Sequence, residues 1–369
     1  PPRRDLHVFR WRAAAEDGRV RRLRRTFPPP PAEVRVPIGD DAACIRLARR
    51  ENLVLTTDQM VEGVHFRRST HPPDLLGARA LTVNLSDLAS MGARPRWFLL
   101  SLFLPRDLRD DYLAGILAGM AGEARRHGVA LVGGNLTAAP ALVLDITLAG
   151  SLPKGVPPML RNGGRAGDLL HVTGTLGGAV LGLELLESGW RWERGRAARR
   201  GASRIEGRLA TRALRRHLAP APDYLFASRL SRGRIASAAM DISDGLSLDL
   251  RRLCLASGVG ARIDPSLLPL DPAAVGLRGR ARAIEMALHG GEEYQLLFSV
   301  PPGKVSALRK LPGRDRITRI GVLTRGRGRL LLEGGEGKPV PLVPGGYDHL
   351  RPSSPRRIAP PGRSPAPGR

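Results

Sequence analysis

Cysteine is almost absent from this sequence, which has two in 369 residues, Cys44 and Cys254. They lie far apart and lack the spacing of metal ligands, so we expect a reduced, cytoplasmic setting. Aromatic residues make up only 4%, so the core should be mostly Leu, Val, Ile and Ala. No apolar run approaches about 18 residues, which excludes a typical membrane-spanning helix. The Arg-rich first 25 residues also lack the apolar stretch of a secretory signal.

The common phosphate-binding loops are also missing. No G-x-x-x-x-G-K-[ST] segment exists, which argues against a P-loop kinase, and no G-x-G-x-x-G follows a predicted strand. The segment Val132–Thr137, VGGNLT, does follow a strand pattern. Its glycine pair could bring backbone N–H groups close to a phosphate, although a lone Gly-Gly turn is a weak signal.

Positive charge is abundant but unevenly placed. The formal net charge is +25, and most of the excess lies in residues 1–25, 190–216 and 350–369. Such segments favour a solvated and partly disordered state, and nucleic-acid binding is an unlikely main function. The remaining possibility is a catalytically impaired, basic protein that associates with nucleic acid.

Alternating strand and helix patterns predict an α/β (α+β) protein of two halves. We expect a basic, Pro-rich segment at 1–31, an N-terminal domain at 32–150, a C-terminal domain at 151–349 and a disordered basic tail at 350–369. An Arg-rich insert near 190–208 interrupts the second domain, and residues 201–207 within it are predicted as loop.

Short acidic motifs mark the ends of predicted strands or helices. They are IGDDA (38–42), TTD (56–58), NLSD (84–87) and DISDG (241–245). Each alone could be a turn or a helix cap. Asp87 differs because it lies mid-helix, where Asp is intrinsically unfavourable. Together the motifs predict Mg²⁺ ligands, since this ion is held by a few carboxylates together with water and substrate phosphate.

In this order the motifs resemble those of thiamine-monophosphate kinases. The matching segments are IGDDAA, TTDQMVEGVHF, NLSDLASMGARP, GGNLT, LRNGGRAGDLLHVTGTLGG, AMDISDGLSLDL, ALHGGEEYQLLF and GGYDH. The resemblance covers about residues 38–349. It implies the two-domain fold of the aminoimidazole ribonucleotide synthetase superfamily, with N-terminal domains that pair into a β-barrel across a homodimer. It also implies ATP-dependent phosphorylation of thiamine monophosphate to thiamine diphosphate, with several Mg²⁺ ions and no membrane partner.

The resemblance also assigns roles to individual residues. The implied magnesium ligands are Asp40, Asp41, Thr56, Thr57, Asp58, Asp87, Asn135, Asp241 and Asp244. The implied ATP contacts are Gly134, Asn135, Arg161 and Ser243. The implied contacts to thiamine monophosphate are His65, Glu292 and Tyr347.

One position departs from the family pattern. Asn135 stands where the family usually has Asp, and an amide oxygen can ligate a cation without contributing charge. We therefore expect one metal site to be weakened or lost. Another enzyme of the same superfamily is an alternative reading, but selenophosphate synthetase would carry Cys or Sec and Lys before the first acidic motif. Residues 1–37 contain none of these.

Overall fold

The computed structural model describes residues 22–36, 44–45, 51–334 and 338–347. Within these ranges the chain folds around two larger sheets, with two short ribbons beside them. None of the described helices is long and apolar enough to cross a bilayer. The predictions for residues 1–21 and 350–369 lie outside the described residues.

The first large sheet belongs to the N-terminal half. Its strands and helices are β3 (Glu51–Val61), α1 (Pro73–Ser90), β4 (Arg94–Leu104), α2 (Asp110–His127), β5 (Ala130–Ala138) and β6 (Val143–Pro153). The strand order is β3-β6-β4-β5, in which only β4 and β5 are parallel. A parallel pair needs a crossover connection, and α2 provides it.

Helices α1 and α2 cover one face of this sheet. The predicted stripe of Leu81, Leu85 and Leu88 is confirmed as fully buried. The two helices approach closely, because a Cβ at Gly77 would lie only 1.8 Å from the carbonyl oxygen of Ile116. Glycine alone permits this contact. Helix α2 ends at Gly128 in the left-handed conformation, as the sequence predicts.

The opposite face of the first sheet is only partly covered, because Val34, Trp97, Ala130 and Val132 form a small buried cluster while other apolar side chains are exposed. Leu53, Leu55 and Leu99 point away from the helices and are 44%, 61% and 41% exposed. Neither large sheet closes into a barrel among the described residues. The expected β-barrel across a homodimer stays a prediction. The exposed apolar side chains of this face are the candidate surface for such pairing.

The second large sheet belongs to the C-terminal half. Its strands are β7 (Leu169–Thr173), β10 (Ala238–Ile242), β11 (Gly260–Ile263), β12 (Gln295–Val300), β13 (Ile317–Thr324), β14 (Leu330–Leu332) and β15 (Val340–Pro341). The strand order is β10-β12-β7-β13-β11-β14-β15, in which only β11 and β14 are parallel. Its longer helices are α3 (Gly178–Glu187), α4 (Arg204–Leu218), α5 (Tyr224–Arg232), α6 (Leu246–Ser257) and α7 (Pro272–His289), which breaks at Gly279.

Smaller elements complete the described chain. Residues 22–26 are helical. The short strands are β1 (Val34–Val36) and β2 (Cys44–Ile45), which pair, and β8 (Arg191–Glu193) and β9 (Arg196–Ala198), which also pair. The remaining helices are α8 (Val305–Arg309) and the 3-10 turns Pro265–Leu267, Pro302–Lys304 and Arg314–Arg316.

The Arg-rich insert is ordered, so the prediction of a solvated, partly disordered segment there is wrong. Strands β8 and β9 form a hairpin, and the predicted loop at 201–207 contains the start of α4. Ser203 and Glu206 form a reciprocal capping box at the start of this helix. A count of charges along the segment does not reveal this helix start. Trp190 and Leu214 are 4% and 0% exposed, so the segment stays ordered by burying apolar side chains beneath its arginines.

Candidate functional site

A cavity of about 510 Å³ lies between the two halves of the chain. Four predicted magnesium ligands line it and form what we call the acidic group, which consists of Asp58, Asp87, Asp241 and Asp244. Strand β3 supplies the first, α1 the second, and the C-terminal end of β10 with the loop after it supplies the other two. The ATP contact predicted at Ser243 lines the same cavity.

Helix α1 ties these carboxylates to the rest of the fold. Thr56 donates a 2.5 Å hydrogen bond to Asp87, and Ser86 donates a 2.8 Å hydrogen bond to Asp241 on β10. Consecutive residues of α1 thus contact both sheets. This explains why an Asp is tolerated in the middle of α1: its carboxylate serves the cavity rather than the helix.

Burial and the charges of neighbouring carboxylates raise the pKa values of Asp58 and Asp241. Desolvation in the cleft, followed by the charges of Asp87 and Asp244, raises the pKa of Asp58 to about 7. Burial, with Asp87 as the next cause, raises the pKa of Asp241 to about 7. Burial also raises the pKa of Asp87, against the opposing hydrogen bond from Thr56. Such shifts indicate carboxylates that lack sufficient positive charge nearby.

A buried carboxylate shapes the loop that carries Asp244. Asp249, on α6, is fully buried and accepts hydrogen bonds of 3.0–3.1 Å from the backbone N–H groups of Ser243, Asp244 and Gly245. Arg252 bridges Asp244 and Asp249, at 2.5 and 2.8 Å. These contacts hold the DISDG turn against the cavity, so Asp249 and Arg252 fix where the Asp244 carboxylate lies.

The predicted acceptor contacts lie at the same cavity. His65, Glu292 and Tyr347 all line it. The Nδ1 atom of His65 accepts a 3.0 Å hydrogen bond from the Val61 N–H, which turns the loop after β3 toward the cleft. The backbone N–H of Tyr347 donates to the Asp244 carbonyl at 3.1 Å. The structure thus brings these three residues together with the acidic group.

Three predicted site residues lie on parts of the first sheet that are away from this cavity. The Thr57 hydroxyl donates to the Ile146 carbonyl at 3.1 Å and so belongs to the other face of β3 from Thr56. Gly134 and Asn135 lie on β5, at the opposite edge of the sheet from β3. Adjacent strands are about 4.8 Å apart, so three spacings put Asn135 about 14 Å from the β3 edge.

Gly134 also has a packing role. A Cβ there would lie 1.9 Å from the carbonyl oxygen of Leu100 on β4, so glycine is needed for the β4–β5 pairing. The segment predicted to follow a strand is in fact inside β5. Its sequence signal therefore has a structural cause that is independent of phosphate binding.

The remaining predicted residues have different positions. Arg161 does not line the cavity, but its positive charge lowers the pKa values of Asp87 and Asp241. Asp40 and Asp41 lie outside the described residues. Among the residues that are described, no three His, Cys, Asp or Glu side chains are grouped so that they alone could hold a metal ion.

Several residues that organise the cavity were not predicted from the sequence. Ser86, Asp249 and Arg252 lie within or beside the quoted motifs, yet their contacts depend on the meeting of α1, β10 and α6. Arg79 is the largest omission, because this charged side chain is completely buried. A weak signal existed for Asp249, which follows a Gly-containing turn in the first turn of a helix.

Both halves of the chain match models of known protein families. Residues 39–152 match the N-terminal domain of AIR synthase related proteins, and residues 165–332 match their C-terminal domain. The thiamine-monophosphate kinase of Escherichia coli K12 is 36% identical over 321 residues, which cover 86% of this chain and 93% of that protein.

Solved structures match over a similar length. The thiamine-monophosphate kinase of Stenotrophomonas maltophilia K279a superposes with a TM-score of 0.72 at 34% identity, covering 86% of this chain and 95% of that one. AaThiL complexed with AMPPCP and TMP superposes with a TM-score of 0.69 at 32% identity, covering 91% and 97%.

Proposed function

The chain belongs to the thiamine-monophosphate kinase family, and we propose that its cavity passes the γ-phosphoryl group of ATP in one in-line step to the phosphate of thiamine monophosphate. The observation that carries this proposal is the position of the acidic group in one cavity with His65, Glu292 and Tyr347. The choice of substrates is supported by related enzymes of this family, of which AaThiL was solved in complex with AMPPCP and TMP.

The donor set suits magnesium. The candidate ligands are carboxylates and a hydroxyl, the oxygen donors that this ion prefers. The raised pKa values of Asp58 and Asp241 indicate an excess of negative charge that a bound cation would offset. When bound, Mg²⁺ would neutralise charge on the phosphates of ATP. Substrate phosphate and water would supply further oxygen ligands to the ion.

The chain's own contribution is mainly to position the substrates. The acceptor phosphate is already anionic and needs little help from a general base. Asp249 and Arg252 hold the DISDG turn, while Thr56 and Ser86 orient Asp87 and Asp241. We propose that His65, Glu292 and Tyr347 hold the acceptor at the other end of the cavity. Oriented binding of both substrates accounts for most of the expected rate.

The position of Asn135 is compatible with a homodimer. Strand alternation puts Asn135 on the open face of the first sheet, with Leu99. We propose that this face pairs with the same face of a second copy, and that any cation contact of Asn135 is made near that interface. Sedimentation should then give twice the chain mass, and Leu55→Glu, on the exposed β3 edge, should shift the protein toward monomer.

The function can be tested by following ADP release with thiamine monophosphate, thiamine and other phosphorylated acceptors. We expect turnover with thiamine monophosphate and a requirement for Mg²⁺. A chiral γ-phosphoryl group should be inverted, because a single in-line transfer inverts phosphorus. Retention would instead indicate a phosphoenzyme. Turnover with another acceptor only would assign the chain a different substrate.

A further inference from the structure

A buried arginine connects the two halves of the chain beside the acceptor end of the cavity. Arg79, on α1, has none of its surface exposed. Its Nη2 group donates to Glu292 Oε1, and its Nη1 group lies 3.3 Å from the Nε2 atoms of both His71 and His217. Arg79 and His71 come from the N-terminal half, and the other two residues come from the C-terminal half. We call these four residues the Arg79 cluster.

The two histidines are neutral partners of the guanidinium. Burial, then the charge of Arg79, lowers the pKa of His71 to about 2, and burial lowers the pKa of His217 as well. A neutral imidazole can accept from Arg79 through Nε2 only if its proton is on Nδ1. The Nδ1 atom of His71 lies 3.1 Å from the Thr70 hydroxyl. That of His217 lies 2.9 Å from Glu292 Oε2, although not aligned as a hydrogen bond.

Glu292 is held by both its backbone and its side chain. Its φ is +64°, and that of Tyr294 is +50°, a left-handed conformation that side chains adopt at some cost. The N–H groups of these two residues donate to the carbonyl groups of Ser243 and Ile242 at 2.6 and 2.8 Å. The loop is thus tied to β10, and its carboxylate faces the cavity with 28% of the side chain exposed.

We propose that Arg79, assisted by His217 and His71, is a positioning group that fixes the Glu292 carboxylate toward the acceptor and so sets acceptor affinity. This inference rests on the proposed function of the cavity. The fixed carboxylate presents a negative charge to the end of the site where a cationic heteroaromatic acceptor such as thiamine monophosphate would lie. Since Arg79 and Glu292 come from different halves of the chain, the carboxylate is oriented only when the halves are docked.

Stability alone does not explain such a cluster. Burying a guanidinium and a carboxylate costs about as much as their attraction returns, and apolar residues of similar volume often do as well. An orienting role accounts for three further features. Nη1 faces two neutral imidazoles, Glu292 receives its contacts on both oxygens, and the held group is the one carboxylate of the HGGEEY loop that lines the cavity.

The chain contains a matched control. Arg216, next to His217 on α4, pairs with Glu293 at 2.9 Å, and Glu293 is buried without lining the cavity. Arg216→Gln therefore breaks an Arg–Glu pair in the same loop that does not face the acceptor. Arg79→Gln and Arg216→Gln should both lower the melting temperature, but only the first should affect acceptor binding.

The experiment measures KM for thiamine monophosphate and for ATP in Arg79→Gln, Arg79→Lys, Glu292→Gln and the Arg79→Gln/Glu292→Gln double variant. We expect Arg79→Gln to raise the acceptor KM about 10- to 100-fold, the range seen when a group that orients a metal ligand is lost, and to change the ATP KM less than about twofold. Arg79→Lys should restore part of the affinity. In the Glu292→Gln background, Arg79→Gln should add almost nothing, because Arg79 acts through Glu292.

Three results would overturn the inference. They are an unchanged acceptor KM in Arg79→Gln, an additive effect in the double variant, or an equal rise in Arg216→Gln. If Arg79→Gln does not fold, His217→Gln serves instead, and its effect must likewise vanish in the Glu292→Gln background. Turnover of thiamine monophosphate by the unmodified chain tests the proposed function separately, so the inference can fail while the proposed function stands.

Discussion

Two groups of charge border the same cavity, and they differ in how they are balanced. In the Arg79 cluster a buried guanidinium meets a carboxylate, so the pKa of Glu292 is low although burial alone would raise it. In the acidic group, Asp58 and Asp241 lie near other carboxylates, and burial together with these charges raises their pKa values. A balanced cluster fixes geometry without any ligand, whereas an unbalanced one favours cation binding. The first arrangement is suited to orienting a side chain, and the second is suited to binding a cation.

The largest effect on activity is expected when a carboxylate of the acidic group is neutralised. Asp87→Asn and Asp244→Asn should each lower kcat about 10³-fold, since each removes a carboxylate that would hold the cation balancing the negative charge of the transferring phosphoryl group. Folding should persist, because the pKa of Asp87 is raised and its charge is therefore unfavourable in the folded chain. Asp74→Asn, an exposed position in the first turn of the same helix, is the control. Activity close to that of the unmodified chain in both variants would disprove the metal role.

A second test compares the effect of Mg²⁺ at two pH values. Asp58 and Asp241 have folded pKa values of about 7, above the value of about 3.9 in an unfolded chain. Their contribution to stability is therefore full below pH 4 and is lost as pH rises through 7. Bound Mg²⁺ should restore it, so the ion should raise the melting temperature by several degrees more at pH 8 than at pH 6. An equal shift at both pH values would show that these carboxylates do not bind the ion.

The acidic motifs and their order could be predicted from the sequence because each motif is local. Asp58, Asp87 and Asp244 lie where the pattern puts them, and the Leu81, Leu85 and Leu88 stripe correctly gave the buried face of α1. The Arg79 cluster could not be predicted. Arg79 and Glu292 are separated by 213 residues along the chain, and a lone Arg in a helix gives no sign that it is buried.

The prediction for the Arg-rich insert was wrong for another reason. Charge counting treats every arginine as solvated, yet α4 buries Ala210, Leu214 and His217 beneath its exposed arginines. An amphipathic helix can therefore be hidden in a segment that composition alone assigns to disorder. The helix also positions His217 beside Glu292, which no local pattern could reveal.

A third test measures how the stability of the folded chain changes at acidic pH. His71 titrates near 6.5 when unfolded but has a folded pKa of about 2, through burial and the charge of Arg79. The unfolded state therefore binds more protons between these values, and stability falls as pH drops below 6.5. This group should contribute a slope of about 1.4 kcal/mol per pH unit at pH 5 to 6. In His71→Asn that part of the slope should disappear in urea titrations. An unchanged slope would mean that His71 is charged in the folded chain.

The smallest effect is expected at arginines that line a different cavity from the two groups. Arg196, Arg199, Arg204 and Arg208 line a separate cavity of about 610 Å³. The double variant Arg196→Gln/Arg199→Gln should change kcat/KM less than about twofold, because neither side chain lines the substrate cavity. It should still elute from heparin at lower salt, since exposed arginines contribute to binding of polyanions wherever they lie. A tenfold loss of kcat/KM would instead show that net charge matters to the reaction, whereas the two groups described above predict that only position does.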